Sequence, residues 1–484
     1  MKICLIAAFP PSRRQLSEYS WHLAREIQRH KDVELTILAD ELEENCESAN
    51  GNQNSLHLEK PQELSGFHVV RCWKFGSLST PVRLLNTIRQ MKPDVVWFNL
   101  VFASFGSTAN PFAAFAGLSA PALTRAAGFY THITLHHIVE HVDLANAGIR
   151  RERLYRMGTD VATWALLKAH SVSVLLSNYR RTLMKKYAAR NILVGTHGTF
   201  TTITRPPELP IRNKPEARVL AFGHWGTYKR LETLMAAFPL VLRRVPHARL
   251  IVGGGNHPMA PGYLDSVRKA QDPSLPIEFL GYVQQKDVAE LFCSSSVLVM
   301  PYDSSTGSSG PAHQACEYGV PIVCADIPDF RCMAADEDMA ISFYRIGNAE
   351  DLADKLVQIL QSHELQRQMS QHNYEAGVQM SMASVVRNYL RWFELHRAKR
   401  RLAGARPDPR PQLQPAVPRM GRTSEDVIVD ADLLPADDAH GDGEAAGNSH
   451  SAGVPVARPG PSRNLRTAHG AIRSTDGDNY ADAS

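Results

Sequence analysis

The stretch VLVMPYDSSTGSSGPAHQACEYGVPIVC, residues Val297–Cys324, decides the fold. Its four apolar residues Val297–Met300 fit a short buried strand. Small and hydroxyl-bearing residues follow. Pro311 then opens a helical stretch, at the position where its missing N–H costs nothing. Gly319 and Pro321 end that helix, Pro311–Tyr318, and Val320–Cys324 reads as a second strand. Strand, short turn, helix and strand in this order form a parallel crossover unit.

The same alternation extends upstream. Arg218–Phe222, Arg249–Val252 and Ile277–Leu280 read as strands, interleaved with helices Arg230–Val245, Pro261–Ala270 and Lys286–Cys293. The first half repeats it with strands Lys2–Ala7, Glu34–Leu38, His68–Cys72, Asp94–Phe98, His132–Leu135, Ser171–Leu176 and Asn191–Val194. Helices Ser17–His30, Pro81–Met91, Arg151–Ala169 and Asn178–Tyr187 fall between them. Glu41–Glu63 reads as a polar surface loop. Thr204–Lys214 holds Pro206, Pro207 and Pro210 and reads as a linker. Three helical patterns follow the second half: Ala349–Ser362, Glu364–Gln379 and Met382–Arg400. From Leu402 onward the chain is rich in Pro, Gly, Ala, Asp and Ser and poor in large apolar residues, the composition of a disordered tail. The predicted class is α/β, with two doubly wound Rossmann-like domains facing across a cleft. Residues 1–205, with helix 382–400 packing back on them, form the first domain, residues 213–381 the second, and 402–484 the tail. A ligand would sit at the carboxyl ends of the strands.

Composition narrows the class further. Apolar residues at 44% and charged residues at 21% suit a globular chain. The seven cysteines are odd in number and form no Cys-x-x-Cys pair, so free thiols in a reducing compartment are expected. The net charge is +4. The tail from Leu402 carries 8 Arg against 12 Asp and Glu, or −4, which leaves +8 for the body. That excess suits phosphate-bearing ligands or an anionic membrane, and no nucleic-acid partner is expected from it. Lys2–Ala7 is too short for a secretory core before Pro10 and Pro11, and no apolar run approaches a bilayer span, so the expected location is cytoplasmic. Arg150, Arg151, Arg153 and Arg156 precede the apolar Val161–Leu167, and Arg180, Arg181, Lys185 and Lys186 follow on the next helix. Such segments are either solvated basic faces or contacts for anionic lipid at the inner face of a membrane.

Several strand ends carry chemistry-bearing residues. Thr306, Gly307, Ser308, Ser309 and Gly310 lie at a helix start, where backbone N–H groups and the helix dipole favour a phosphate. A plain β–α turn capped by Ser309 or Gly310 fits the same residues. Phe222–Arg230, FGHWGTYKR, places His224 and Lys229 at another strand-to-helix turn. Gly253, Gly254 and Gly255 lack both the dinucleotide spacing and the Lys-Ser/Thr of a P-loop. Ile133–His141, ITLHHIVEH, offers His136, His137 and Glu140 as a polar rim. Its spacing is not that of a helical metal site, and no metal is expected. His197 ends another strand. Arg13, Arg14 and Glu18 open the first helix and face either substrate or solvent.

Together these residues resemble retaining glycosyltransferase family 4, the group 1 glycosyltransferases of GT-B fold. The likeness runs over about residues 1–400 and is most specific at Arg218–Pro328. In that family the first strand of the second domain leads into Gly-Arg and then Lys-Gly. Here Gly223-His224 and Lys229-Arg230 stand in those places, so the resemblance implies that Lys229 binds the pyrophosphate while His224 replaces the arginine. It implies that Tyr282 and Val283 flank the nucleobase. The family's Glu-x7-Glu pair falls on Thr306 and Gln314, neither of them a carboxylate. Gln314 still accepts a hydrogen bond from a ribose hydroxyl, and Asp303 is the candidate for the missing charge. The family's glycine pair after the first strand is replaced by Arg13 to Leu16. The histidine that meets the donor sugar falls at His136 or His137.

The resemblance therefore implies a hexosyltransferase that takes a UDP- or GDP-sugar as substrate and needs no cofactor. His136, His137, Lys229 and Asp303 are its catalytic candidates, and Arg13, Arg14, Glu18, Glu140 and His197 lie on the acceptor side. Retention follows from front-face attack, with the leaving phosphate taking the proton. Fixed positive groups stabilise the charge that develops on that phosphate. The implied acceptor is a glycan or a polyprenyl-diphosphate-linked sugar of bacterial surface polysaccharide synthesis. A non-catalytic GT-B partner protein and a GT-B epimerase or phosphorylase are the alternatives.

Overall fold

The apolar runs fold as buried parallel strands. In β4 (Val95–Leu100) all six residues are buried, as are all four of β11 (Val297–Met300). Strands covered on both faces need no polar alternation, which is why they read as unbroken apolar runs. The computed structural model describes residues 1–12, 14–42, 66–107, 110–141, 152–200, 217–257, 260–305 and 307–404. The expected linker, the Glu41–Glu63 loop beyond residue 42, the tail beyond residue 404, Cys46, Arg13 and Thr306 lie outside the described residues.

The first sheet holds β1 (Lys2–Ile6), β2 (Glu34–Asp40), β3 (His68–Trp73), β4, β5 (Thr131–Leu135), β6 (Ser171–Val174) and β7 (Ile192–Val194), in the order β3-β2-β1-β4-β5-β6-β7. The second holds β8 (Ala217–Phe222), β9 (Ala248–Gly253), β10 (Ile277–Gly281), β11, β12 (Ile322–Ala325) and β13 (Ile341–Tyr344), in the order β10-β9-β8-β11-β12-β13. Neighbouring strands pair in parallel throughout, for example Leu5 with Trp97 and Leu298 with Leu220. In each sheet the strand order reverses beside the first strand, at β1/β4 and at β8/β11. Loops diverge at such a point and leave a crevice for a ligand.

The helices are α1 (Ser17–Gln28), α2 (Thr80–Met91), α3 (Pro111–Leu118), α4 (Ala120–Ala126), α5 (Glu152–Leu166) and α6 (Ser177–Tyr187) with the first sheet. With the second come α7 (Glu232–Arg244), α8 (Tyr263–Ala270), α9 (Gln285–Cys293), α10 (Gly310–Glu317), α11 (Pro328–Asp336), α12 (Ala349–Gln361) and α13 (His363–Gln379). The sequence reading missed α3, α4, α11 and β13. The first two are short Ala-rich helices opened by prolines, and β13 is a four-residue edge strand whose residues are mostly half-buried. Periodicity has too few turns to register in segments of that length.

The chain returns to the first lobe through α14 (Met382–Gly404). Tyr389 and Phe393 of α14 pack on Trp97, tilted and edge-on, at ring distances of 4.7 and 5.2 Å, and the Tyr389 hydroxyl donates to Ser173 Oγ at 2.8 Å. At the crossing, Thr199 N–H donates to the Met380 carbonyl and Met382 N–H to the Thr199 carbonyl, so the outgoing and returning segments are hydrogen-bonded. Elsewhere the lobes are tied by Asp329 at the start of α11. It accepts from Asn178 Nδ2 at 2.7 Å and from the Tyr179 hydroxyl at 2.9 Å on α6.

Candidate active site

The loops after β8 and β11 meet at the second sheet's reversal point. A short antiparallel bridge pairs Lys229 with Tyr302, and Asp303 N–H donates to the Tyr228 carbonyl at 3.0 Å. Lys229 is thereby held against the strand that feeds the Val297–Cys324 unit. The loop after β9 presses on the same place. A Cβ on Gly254, whose φ is +101°, would lie 1.8 Å from the Gly223 carbonyl oxygen, so only glycine fits there. The glycines that matched no phosphate motif let two backbones touch.

These loops, α10 and the first lobe enclose a cavity of about 270 Å³. It is lined from the second lobe by Gly223, His224, Lys229, Gly254, Gly255, Tyr282, Val283, Gly310, Pro311, His313, Gln314 and Glu317. The first lobe contributes Glu18 and His197–Phe200. Gly310, Gln314 and Glu317 recur every three or four residues, which is one face of α10.

One end of the cavity is cationic. The Lys229 ammonium lies 5.0 Å from the Tyr302 ring centroid, and no carboxylate among the described residues is within ion-pair reach of it. Removal from water lowers its pKa to about 8. His224 and His257 are each lowered first by burial and then by the Lys229 charge. Lys229 thus holds the charge at this end, and its field disfavours a second positive charge on either histidine. The first turn of α10 adds the positive end of a helix. No side chain caps it, because Ser309 Oγ turns to the Met300 sulfur at 3.3 Å.

The other end carries carboxylates. Glu18 from α1 and Glu317 from α10 both line the cavity, and the Glu18 pKa is raised by burial and then by Glu317. Beneath them His313 Nε2 lies 2.9 Å from Glu337 Oε2, both side chains being nearly inaccessible, and His313 Nδ1 is 2.7 Å from the Ser309 carbonyl. Burial opposes a charge on His313, but the Glu337 carboxylate outweighs it and the pKa is raised. The His197 ring, 4.8 Å away, is pushed down to about 3 by burial and by His313. A second-lobe histidine whose charged form is favoured by Glu337 therefore faces a first-lobe one whose charged form is disfavoured.

Of the sequence candidates, Glu18, His197, His224, Lys229, Tyr282, Val283, Gly310 and Gln314 line one cavity. The others are placed differently. Asp303 is exposed, faces Arg230 at 3.9 Å and lies outside the lining. Gly307, Ser308 and Ser309 turn away from the cavity. Gly307 packs on the first lobe, where a Cβ would lie 3.1 Å from the His136 carbonyl, and Ser308 Oγ faces the Met333 sulfur at 3.7 Å. His136 is buried, with Nε2 at 2.7 Å from Asn99 Oδ1, and His137 tilts against Phe102. Neither ring is in the lining. Arg14 pairs with Asp40 at 3.6 Å and covers Phe75, and Glu140 is bound by Lys186 at 3.2 Å and the Tyr187 hydroxyl at 2.6 Å. The sequence reading missed His313, Glu317, Tyr302 and Glu337. The face spacing from Gln314 could have found Glu317. Glu337 is remote in sequence and carried no signal. Among the described residues no group of three or more His, Cys, Asp or Glu side chains is arranged to hold a metal ion.

Comparison with known proteins bears on the fold and on the second lobe. Residues 216–362 match the family described as Glycosyl transferases group 1. No curated protein matches the chain. Among solved structures, sucrose-phosphate synthase from Thermosynechococcus elongatus is similar at a TM-score of 0.60 and 14% identity, over 84% of this chain and 100% of that one. Anabaena HepE in complex with UDP and glucose is similar at 0.56 and 13%, over 81% and 99%. A glycosyltransferase from Rickettsia africae is similar at 0.55 and 12%, over 81% and 98%. The chain has the GT-B fold, and its second lobe carries a group 1 glycosyltransferase domain, which makes it a transferase.

Proposed function

We propose that the chain transfers a hexose from a nucleoside-diphosphate sugar to a hydroxyl of a glycan or lipid-linked acceptor, with retention and without a metal. One observation carries this reading. Lys229, with no carboxylate partner among the described residues, and the uncapped start of α10 open onto the same cavity between the lobes. A diphosphate supplies the negative charge that both lack. The nucleoside then extends toward Tyr282 and Val283, where Gln314 and Glu317 accept hydrogen bonds from ribose hydroxyls. In the transition state the leaving phosphate gains charge, and Lys229 with the α10 dipole stabilises it. The family resemblance supports front-face attack, in which that phosphate also takes the acceptor's proton. No catalytic base from Thr306 or Asp303 is then needed.

HepE, whose structures hold UDP and UDP-glucose, makes UDP-sugars the first donors to test. We place the reaction in bacterial surface polysaccharide synthesis, on the cytoplasmic side of a membrane. The experiment is turnover of a panel of UDP- and GDP-sugars with polyprenyl-diphosphate-linked acceptors. Product from one donor, lost in Lys229→Ala, supports the reading. Nucleotide release that is unchanged in Lys229→Ala would remove it.

A further inference from the structure

The helix α5 is apolar on two opposite sides. Thr159, Ala162, Thr163 and Leu166 are buried against the first lobe. On the other side Met157, Val161 and Trp164 are 66%, 68% and 55% exposed. With Arg153 they fall at intervals of three and four residues, within an arc of roughly 80° at 100° per residue, and Lys168 follows in the turn just beyond α5. The stripe therefore reads basic, apolar, apolar, aromatic, basic along one line of the surface. A fully solvated helix carries polar residues on the side away from its core, whereas here Met157, Val161 and Trp164 stand there beside Arg153, Arg156 and Asp160.

The surroundings extend the pattern. The α3 helix abuts α5 where Phe115 faces Gly158, and Phe112, one turn before it, is 78% exposed. On the other flank α6 is tied to α5 by Lys186 Nζ and the Tyr187 hydroxyl, both bound to Asp160 Oδ1 at 2.5 and 2.9 Å. There Met184 is exposed among the exposed Arg180, Arg181 and Lys185. The Lys168 ammonium sits 4.1 Å above the Trp164 ring. A cation over an exposed indole holds both groups at one height, the depth at which headgroups meet acyl chains. No described helix is long and apolar enough to cross a membrane, so contact would be lateral.

We propose that the face formed by α5 with the flanking α3 and α6 is a docking surface for an anionic lipid bilayer, with Met157, Val161 and Trp164 entering the interface and Arg153, Lys168 and the α6 cations meeting the headgroups. The charge decides between occupants. A second copy of this chain would bring the same cations against themselves, whereas an anionic bilayer neutralises them while taking the apolar stripe. The proposal gives the lipid-linked acceptor of the functional reading a place to be met, but it depends on the α3–α6 surface alone.

Vesicle flotation of the full chain tests it, with phosphatidylcholine vesicles made with and without phosphatidylglycerol, at low and high salt. The expected result is binding only to the anionic vesicles, weakened by salt. Trp164→Glu should lower the partition coefficient at least tenfold, and Arg180→Glu with Arg181→Glu should lower it without affecting any apolar contact. UDP binding, measured by calorimetry on the same variants, should stay at the wild-type value. That separates failure of this surface from failure of the donor site and from misfolding. The proposal is overturned if wild type stays with the unbound fraction at low salt. It is equally overturned if Trp164→Glu floats like wild type, or if light scattering shows a dimer that Trp164→Glu dissociates.

Discussion

The two lobes share one topology and treat their polar residues in opposite ways. In the second lobe the loops after β8 and β11 bring Lys229, His224 and the uncapped α10 start onto one cavity, and no carboxylate among the described residues is within ion-pair reach of Lys229. In the first lobe the equivalent polar residues satisfy one another: Arg14 with Asp40, His136 with Asn99, Glu140 with Lys186 and Tyr187. Desolvating a charge costs free energy unless a partner compensates. A charge paired within the fold is accounted for by stability. A charge held among protein atoms without a partner is accounted for only by something that binds. The second lobe's share of the site can therefore be read from the unmet charge of Lys229. Among the described residues the first lobe enters the cavity only through Glu18 and residues 197–200.

The largest effect should come from Gly254→Val. Its side chain must occupy the space of the Gly223 carbonyl at a φ that side chains resist, at a cost of about 3 kcal/mol or more. Nucleotide binding should vanish in calorimetry, and the unfolding midpoint should fall. Next, Lys229→Ala should reduce kcat for the best donor by about 10²–10³-fold, with circular dichroism unchanged. Equal losses from Arg14→Ala would erase the contrast between the lobes.

The pH dependence sharpens the same contrast. The Lys229 pKa is lowered to about 8 in the empty cavity, and a diphosphate binds the protonated form and raises it. UDP affinity should thus be level below pH 8 and fall about tenfold per unit above it. The fall should be absent in Lys229→Ala. A weakening that begins at acid pH would instead assign the binding charge to a histidine. The smallest effect is expected from Glu140→Gln, which removes a carboxylate already engaged by Lys186 and Tyr187. Stability should drop by about 1 kcal/mol while kcat/KM stays within twofold.

Much of this was legible in the sequence, for identifiable reasons. Val297–Cys324 and its repeats announce doubly wound sheets, because buried parallel strands are short apolar runs and their turns carry Gly and Pro. Lys229 and Gly310 were found because strand-to-helix turns place chemistry at predictable points. The placement of Asp303 outside the lining was not legible because sequence shows proximity in the chain and not direction: three residues beyond the strand it faces Arg230 and water. The placement of Gly307–Ser309 was hidden likewise, since packing on the His136 carbonyl and on methionine sulfurs holds them outside the lining. The His313–Glu337 pair joins α10 to the residue just after α11, and no local spacing announces it.

A structure of the chain with UDP bound tests the account most directly. The account predicts a β-phosphate oxygen about 3 Å from Lys229 Nζ, facing the Gly310 end of α10, with the uracil beside Tyr282. A diphosphate lying against Glu18 and Glu317, or a nucleotide bound outside the interlobe cavity, would contradict it.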